Sequence, residues 1–261
     1  MLSHYFQDPI QLAAAQALIT ALLALSVMVI ASWSKIHLEK EIIIALLRGL
    51  VQVVAVGAVL LVIFNGSELT GFAILAGMMI LAAKTSQKRA KKLPGAFNVS
   101  LLGIALGAGA VILTMTWAGV IDTKLTSLIP LGSMIIANSM NSVSLGLDRL
   151  QGEIRSHIGH IETALSLGAD PRTAIAPYTR SAVKASLIPR IDSLSSLGII
   201  WIPGVMTGML LAGNPPVHAA LYQFVVMAMI LSVAGLSSLV STMLIIRYIF
   251  SPAEQLLINE E

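Results

Sequence analysis

A few polar side chains interrupt long apolar runs in this sequence, and their types and spacing define what chemistry the chain can carry. In "EIIIALLRGLVQVVAV", Arg48 and Gln52 are four residues apart and share one helix face, with Glu41 nearly two turns below. A guanidinium deep in lipid costs about 2.5 to 3.5 kcal/mol on insertion scales, so Arg48 either faces a cavity that admits a polar cargo or snorkels to the headgroups. In "MIIANSMNSVS", Asn138 and Asn141 fall on one face with Met134 one turn before them. Such amides either line a polar path or join helix to helix. Asp192 stands at the mouth of another apolar run, as a cation attractor or a helix cap, and Pro203 with Gly204 breaks that run in "WIPGVMTG". Gly204 and Gly208 also form a small-residue face, as do Gly103 and Gly107 in "LGIALGAGA".

A second group of polar residues lies in a charged segment between apolar runs. Glu153, His157 and His160 are spaced four and three apart, so they share a helix face that is either a carboxylate–imidazole metal site or a solvated polar surface. No methionine, of the 12 present, is given a ligand role, because membrane interiors use methionine as packing. Around this group, Leu147, Leu150, Ile154, Ile158, Ile161 and Leu165 make the stripe of an amphipathic helix. Gly168 is placed to end it, and Asp170 and Pro171 are placed as N-cap and first residue of a second helix, which Pro177 should kink or shorten. The segment from about 147 to 190 therefore reads as a helical hairpin outside the bilayer, lying on lipid or gripped by another protein.

The elements that must hold these residues are membrane helices. With 56% apolar residues and only 11% charged, the 261-residue chain lies far from soluble composition, and its apolar runs are too long for barrel strands. The expected spans are 10–33, 41–64, 69–84, 97–119, 125–146, 191–213 and 218–247, about seven helices in one all-α polytopic membrane domain, 1–261. Of the 16 Lys and Arg residues, all but Arg48 and Lys124 then fall on one side, which places the C-terminus and the hairpin in the cytoplasm and the N-terminus outside. The run "KTSQKRAKK" is read as part of that orientation signal, with an anionic-lipid or nucleotide patch as the other reading. No basic, cleavable leader is evident in "MLSHYFQDP", and with no cysteine the chain has neither thiolate ligands nor disulfides. The net charge of +3 is spread over several loops without stacking aromatics, so no nucleic-acid partner is expected.

The sequence "ETALSLGA" at 162–169 resembles the Glu-Ala-Ala loop by which bacterial ABC-importer permeases dock on their ATPase: Glu162, Ala164 and Gly168 match, Thr163 replaces an alanine, and the Ile-x-x-Pro element is displaced. A fuller resemblance covers most of the chain. The motifs "LEKEIIIALLRGLVQ", "IPLGSMIIANSM", "LSLGADPRTA", "LIPRIDS", "PGVMTG" and "YQ" together are similar to the Fet-type family of ABC-transporter permeases, which has bacterial iron-export and plant aluminium-sensitivity members. That resemblance implies a permease that pairs with itself and with a separate cytoplasmic ATPase, in a plasma membrane of the bacterial inner-membrane type, with metal export as one role. It makes Glu162, Ala164, Gly168, Asp170 and Arg172 the expected coupling residues. Arg48, Gln52, Asn138, Asn141 and Asp192 are the expected pathway residues.

The residues agree on one point. No G-x-x-x-x-G-K-[ST] occurs in the sequence, so the chain is expected to be no enzyme and to bind no cofactor itself, with ATP and magnesium held by the partner. A secondary transporter or channel working on Glu41, Arg48 and Asp192 is the alternative. A retinal receptor fails because no lysine follows Lys184, and no histidine stands beside the serines of the last span to serve an intramembrane protease.

Overall fold

The computed structural model describes residues 9–33, 39–63, 68–90 and 93–258, and all of its regular elements among these are helices. They are α1 (Pro9–Trp33), α2 (Glu39–Ile63), α3 (Glu68–Arg89), α4 (Ala96–Trp117), α5 (Leu125–Ser156), α6 (Ile158–Ser166), α7 (Pro171–Ser195), α8 (Gly204–Leu211) and α9 (Pro216–Ile249). The chain forms two compact units, Met1–Asn65 and Gly66–Glu261. The first holds α1 packed on α2.

Helices α2, α3, α4, α5 and α9 are each long and apolar enough to cross a membrane, which accounts for five of the expected spans. The span expected at 10–33 falls on α1, whose described apolar run is the shorter Ile10–Ser26. The span expected at 191–213 is not one helix. It is divided between the last turn of α7, an irregular turn, and the eight-residue α8.

In the second unit, α9 packs against α4, α5 and α7, and α5 packs against α3, α4 and α7. Their meeting line is built from serine and glycine. Ser139 of α5 and Ser237 of α9 share a hydrogen bond of 2.6 Å, and so do Ser186 of α7 and Ser238 of α9. A Cβ added at Gly107 would collide with the Ser237 side chain and lie 2.8 Å from the Ser237 backbone nitrogen; one at Gly103 would lie 2.9 Å from Ser241 Cβ. Glycine is therefore what lets the α4 and α9 backbones approach, and the paired hydroxyls satisfy one another in a dry interior. The small-residue face expected at Gly103 and Gly107 is this contact.

Two helices run further than their sequences indicate. The stripe from Leu147 is divided: Leu147, Leu150 and Ile154 continue α5, which at 32 residues is about 48 Å long against about 30 Å of hydrocarbon, and Ile158, Ile161 and Leu165 belong to α6. Nor does the stripe lie on lipid. Leu147, Leu150, Ile154, Ile158 and Ile161 are buried in the same core as Ala174, Ile175 and Ala182 of α7. Pro177 and Pro189 are both inside α7, which is nevertheless continuous for 25 residues. Each proline removes one backbone hydrogen bond, and the apolar face packed on α5 and α9 holds the helix together across both.

Candidate functional site

The turn between α6 and α7 is assembled by local rules. The Ala169 N–H donates to Ala164 O at 3.0 Å and the Gly168 N–H to Leu165 O at 2.9 Å, the two bonds of a Schellman cap. Gly168 has φ +88° and nothing within 4 Å of where a Cβ would stand, so glycine is required there by backbone conformation and not by crowding. Asp170 then caps α7: its carboxylate accepts from the backbone N–H groups of Arg172 at 3.2 Å and Thr173 at 3.3 Å, and from the Thr173 hydroxyl. The Thr173 hydroxyl, foremost, and these N–H groups hold the Asp170 carboxyl below its ordinary range.

The turn brings the expected coupling residues into one short stretch with an exposed surface. Glu162, Gly168, Asp170 and Arg172 are all exposed, whereas Ala164 rests against the core. Between them stands Leu167, a large apolar side chain left 84% exposed at the tip.

Behind the tip, His157 marks the joint where α5 ends and α6 begins, with φ −132°. Its Nδ1 lies 2.9 Å from the Glu153 carbonyl oxygen and its ring stacks on Tyr178 of α7 at 4.8 Å. The Glu153 carboxylate accepts from Arg149 at 2.9 Å and from the Ser181 hydroxyl at 3.0 Å. Glu153 and His157 thus fasten the end of α5 to α7. His157 and His160 do approach, with ring centroids 5.9 Å apart, but among the described residues no three His, Asp or Glu side chains are grouped to hold a metal.

The expected pathway residues are divided between the two units. Arg48 and Gln52 keep their common face on α2, in the first unit. In the second unit, Asn138 donates its side-chain amide to Met134 O at 2.8 Å, within its own helix, and Asn141 is exposed on α5. Asp192 does not cap the start of a helix. It lies in the last turn of α7, where its backbone oxygen accepts from the Ser196 N–H at 3.0 Å and the Ser196 hydroxyl at 2.8 Å while its carboxylate faces outward.

The break expected at Pro203 and Gly204 is present and wider than two residues. After α7 the chain turns through Gly198 (φ +77°), whose N–H donates to Trp201 O at 3.1 Å, and Pro203 opens α8. Gly204 and Gly208 have nothing within 4 Å of an added Cβ, so among the described residues they are not a packing face. Proline has no side-chain acceptor for the first turn of α8, and another helix supplies one: Gln223 of α9, 2% exposed, accepts the Met206 N–H at 3.1 Å. Sequence reading did not give Gln223 this role. The available signal was a lone amide in an otherwise apolar span.

Comparison with known proteins places this architecture among membrane proteins of one kind. Residues 14–250 match the model of the uncharacterised protein family UPF0014. The chain is 35% identical over 231 residues to the probable iron export permease protein FetB of Escherichia coli (strain K12), covering 87% of this chain and 88% of that one. It is 36% identical over 245 residues to Protein ALUMINUM SENSITIVE 3 of Arabidopsis thaliana, covering 93% and 88%. It is also 32% identical over 230 residues to the UPF0014 membrane protein YjkA of Bacillus subtilis (strain 168), covering 87% and 91%. No solved structure matches the chain. Matched over most of its length and built of membrane-crossing helices, this chain is a multi-pass membrane protein that belongs to the UPF0014 family.

Proposed function

We propose that the chain is the permease subunit of an ABC transporter, working as a pair of identical copies driven by a separate ATPase that docks on the α6–α7 turn. The observation that carries this reading is the form of that turn. An exposed leucine, flanked by Glu162, Asp170 and Arg172, is presented between α6, which follows α5 through the joint at His157, and α7, which packs on α5 and α9. A surface of this kind suits a protein partner, because an apolar anchor rimmed by charge is what a docking site needs. ATP and magnesium belong to the partner. The chain contributes no phosphate-binding loop and performs no hydrolysis itself.

Movement of the tip on ATPase closure would be carried along α5 and α7 and passed to α9 through the Ser139–Ser237 and Ser186–Ser238 pairs. With the tip on the cytoplasmic side, as expected from the lysine and arginine distribution, such a movement alternates access to a site between helices. The cargo in this reading is a metal cation, iron in particular, because the similar E. coli chain is named an iron export permease. In the second unit, Asn138 and Asn141 of α5 are assigned to its route, with Asp192 at the end of α7 as a cation attractor. Asn138 uses its amide nitrogen within the helix and keeps its oxygen for a cation.

The test is to purify the tagged chain gently from its native cells and identify what accompanies it. A stoichiometric P-loop ATPase is expected, lost from a Glu162→Lys variant that keeps wild-type melting and membrane insertion. A chain that purifies alone and supports metal flux in liposomes without ATP would overturn the reading in favour of a secondary transporter or channel.

A further inference from the structure

Helices α7 and α9 enclose an apolar groove of about 380 Å³ that the coupling reading does not use. Leu187 and Ile191 of α7 and Leu239 and Met243 of α9 form its walls, and Arg180 and Lys184 of α7 stand at one end. The two cations are four residues apart and so share a helix face. Both are exposed, and neither has an acidic partner among the described residues. The next acidic residue along α7 is Asp192, beyond Ile191, about 18 Å along the helix from Arg180.

This arrangement is polarised along α7. Side chains on a helix lean toward its N-terminus, so the Arg180 and Lys184 heads lean away from Leu187 and Ile191. The apolar part lies beside Ser186, which is hydrogen-bonded to Ser238, so the groove is a fixed crease between two joined helices. Its volume falls within the range of about 300 to 1,000 Å³ found for small-molecule sites.

We propose that this groove binds one anionic phospholipid, with its phosphate on Arg180 and Lys184 and an acyl chain against Leu187, Ile191, Leu239 and Met243. Charge complementarity selects this occupant. Two cations with no acidic partner among the described residues, at the mouth of an apolar crease, leave a neutral lipid or an apolar helix of a second copy without an anion for them, whereas a lipid phosphate supplies one and its chain fills the remainder. The site is independent of ATPase docking, because none of its residues belongs to the α6–α7 turn.

Native mass spectrometry of the detergent-solubilised full chain tests it, using dioleoyl phosphatidylglycerol and dioleoyl phosphatidylcholine as probes at equal concentration. One phosphatidylglycerol should be retained in preference to phosphatidylcholine, with its retention falling about fivefold for each of Arg180→Gln and Lys184→Gln. Leu239→Trp, which fills the apolar part, should weaken both lipids while leaving the wild-type melting temperature. Equal retention of the two lipids, or a preference that survives the double substitution R180Q/K184Q, overturns the proposal. Disulfide cross-linking between two copies carrying Met243→Cys, with no lipid retained, would overturn it in favour of an interface between copies.

Discussion

The α6–α7 turn and the seam between α4, α5 and α9 both depend on glycine and small polar residues, but for opposite reasons. At the turn, Gly168 has open space around it and is needed for its left-handed backbone; in the seam, Gly107 has ordinary helical geometry and is needed because Ser237 leaves no room. Asp170 satisfies N–H groups two and three residues away, whereas Ser139 bonds a serine 98 residues further along the chain. The turn is shaped by its own sequence and leaves its outer side chains available. The seam is shaped by three helices at once and leaves nothing available. An exposed tip and a buried join are thus built from the same residue types in two different ways.

Substitutions that treat the two regions alike should therefore have unequal effects. The largest is expected from Gly107→Val, which places a branched side chain where Ser237 stands; it should cost about 3 kcal/mol or more and appear as lost folded yield and a lower melting temperature in detergent. Normal melting of that variant would show that α4 and α9 can separate freely and would erase the contrast. A smaller effect is expected in the seam from the Ser139→Ala and Ser237→Ala cycle, with a coupling energy of about 0.6 kcal/mol read from unfolding of the single and double variants. Zero coupling would mean that the glycines alone join the helices.

The smallest effect on the whole fold belongs to Asp170. Its folded carboxyl is held below the ordinary range, so the cap contributes fully above the unfolded pKa of about 3.9 and is lost as pH falls through the lower folded value. The hydrogen-exchange protection of the Arg172 and Thr173 amides, taken against the intrinsic rate at each pH, should fall across that acid window and should already be low in Asp170→Ala at neutral pH, while the melting temperature hardly moves. A large drop in melting temperature would show that the turn is integral to the bundle.

The same contrast explains what the sequence made legible. Gly168, Asp170 and Pro171 were assigned their places from residue type and spacing because their partners lie within a few positions. Five spans were visible because crossing a bilayer demands length and apolarity, which are properties of a single segment. The length of α5 was not, since no cap or glycine turn separates its membrane part from the Leu147–Ile154 stripe, and the periodicity of a stripe does not say whether lipid or protein will cover it. The continuity of α7 through Pro177 and Pro189 was hidden likewise, because it rests on packing against α5 and α9. The serine pairs and the Gln223–Met206 bond were beyond local reading, being contacts between distant segments whose residue types also occur singly in many membrane helices.

The bond from Met206 to Gln223 also sets an order of events during synthesis. At eight residues, α8 is about 12 Å long and cannot cross the bilayer as a span, and the amide oxygen that satisfies its first turn comes 17 residues later in the chain. As the polypeptide emerges from its N-terminus, α7 can form while α8 still lacks its acceptor, and α8 settles only once α9 has been made. The segment from Ser196 to Leu211 therefore finds its place only after the first turns of α9 have been made.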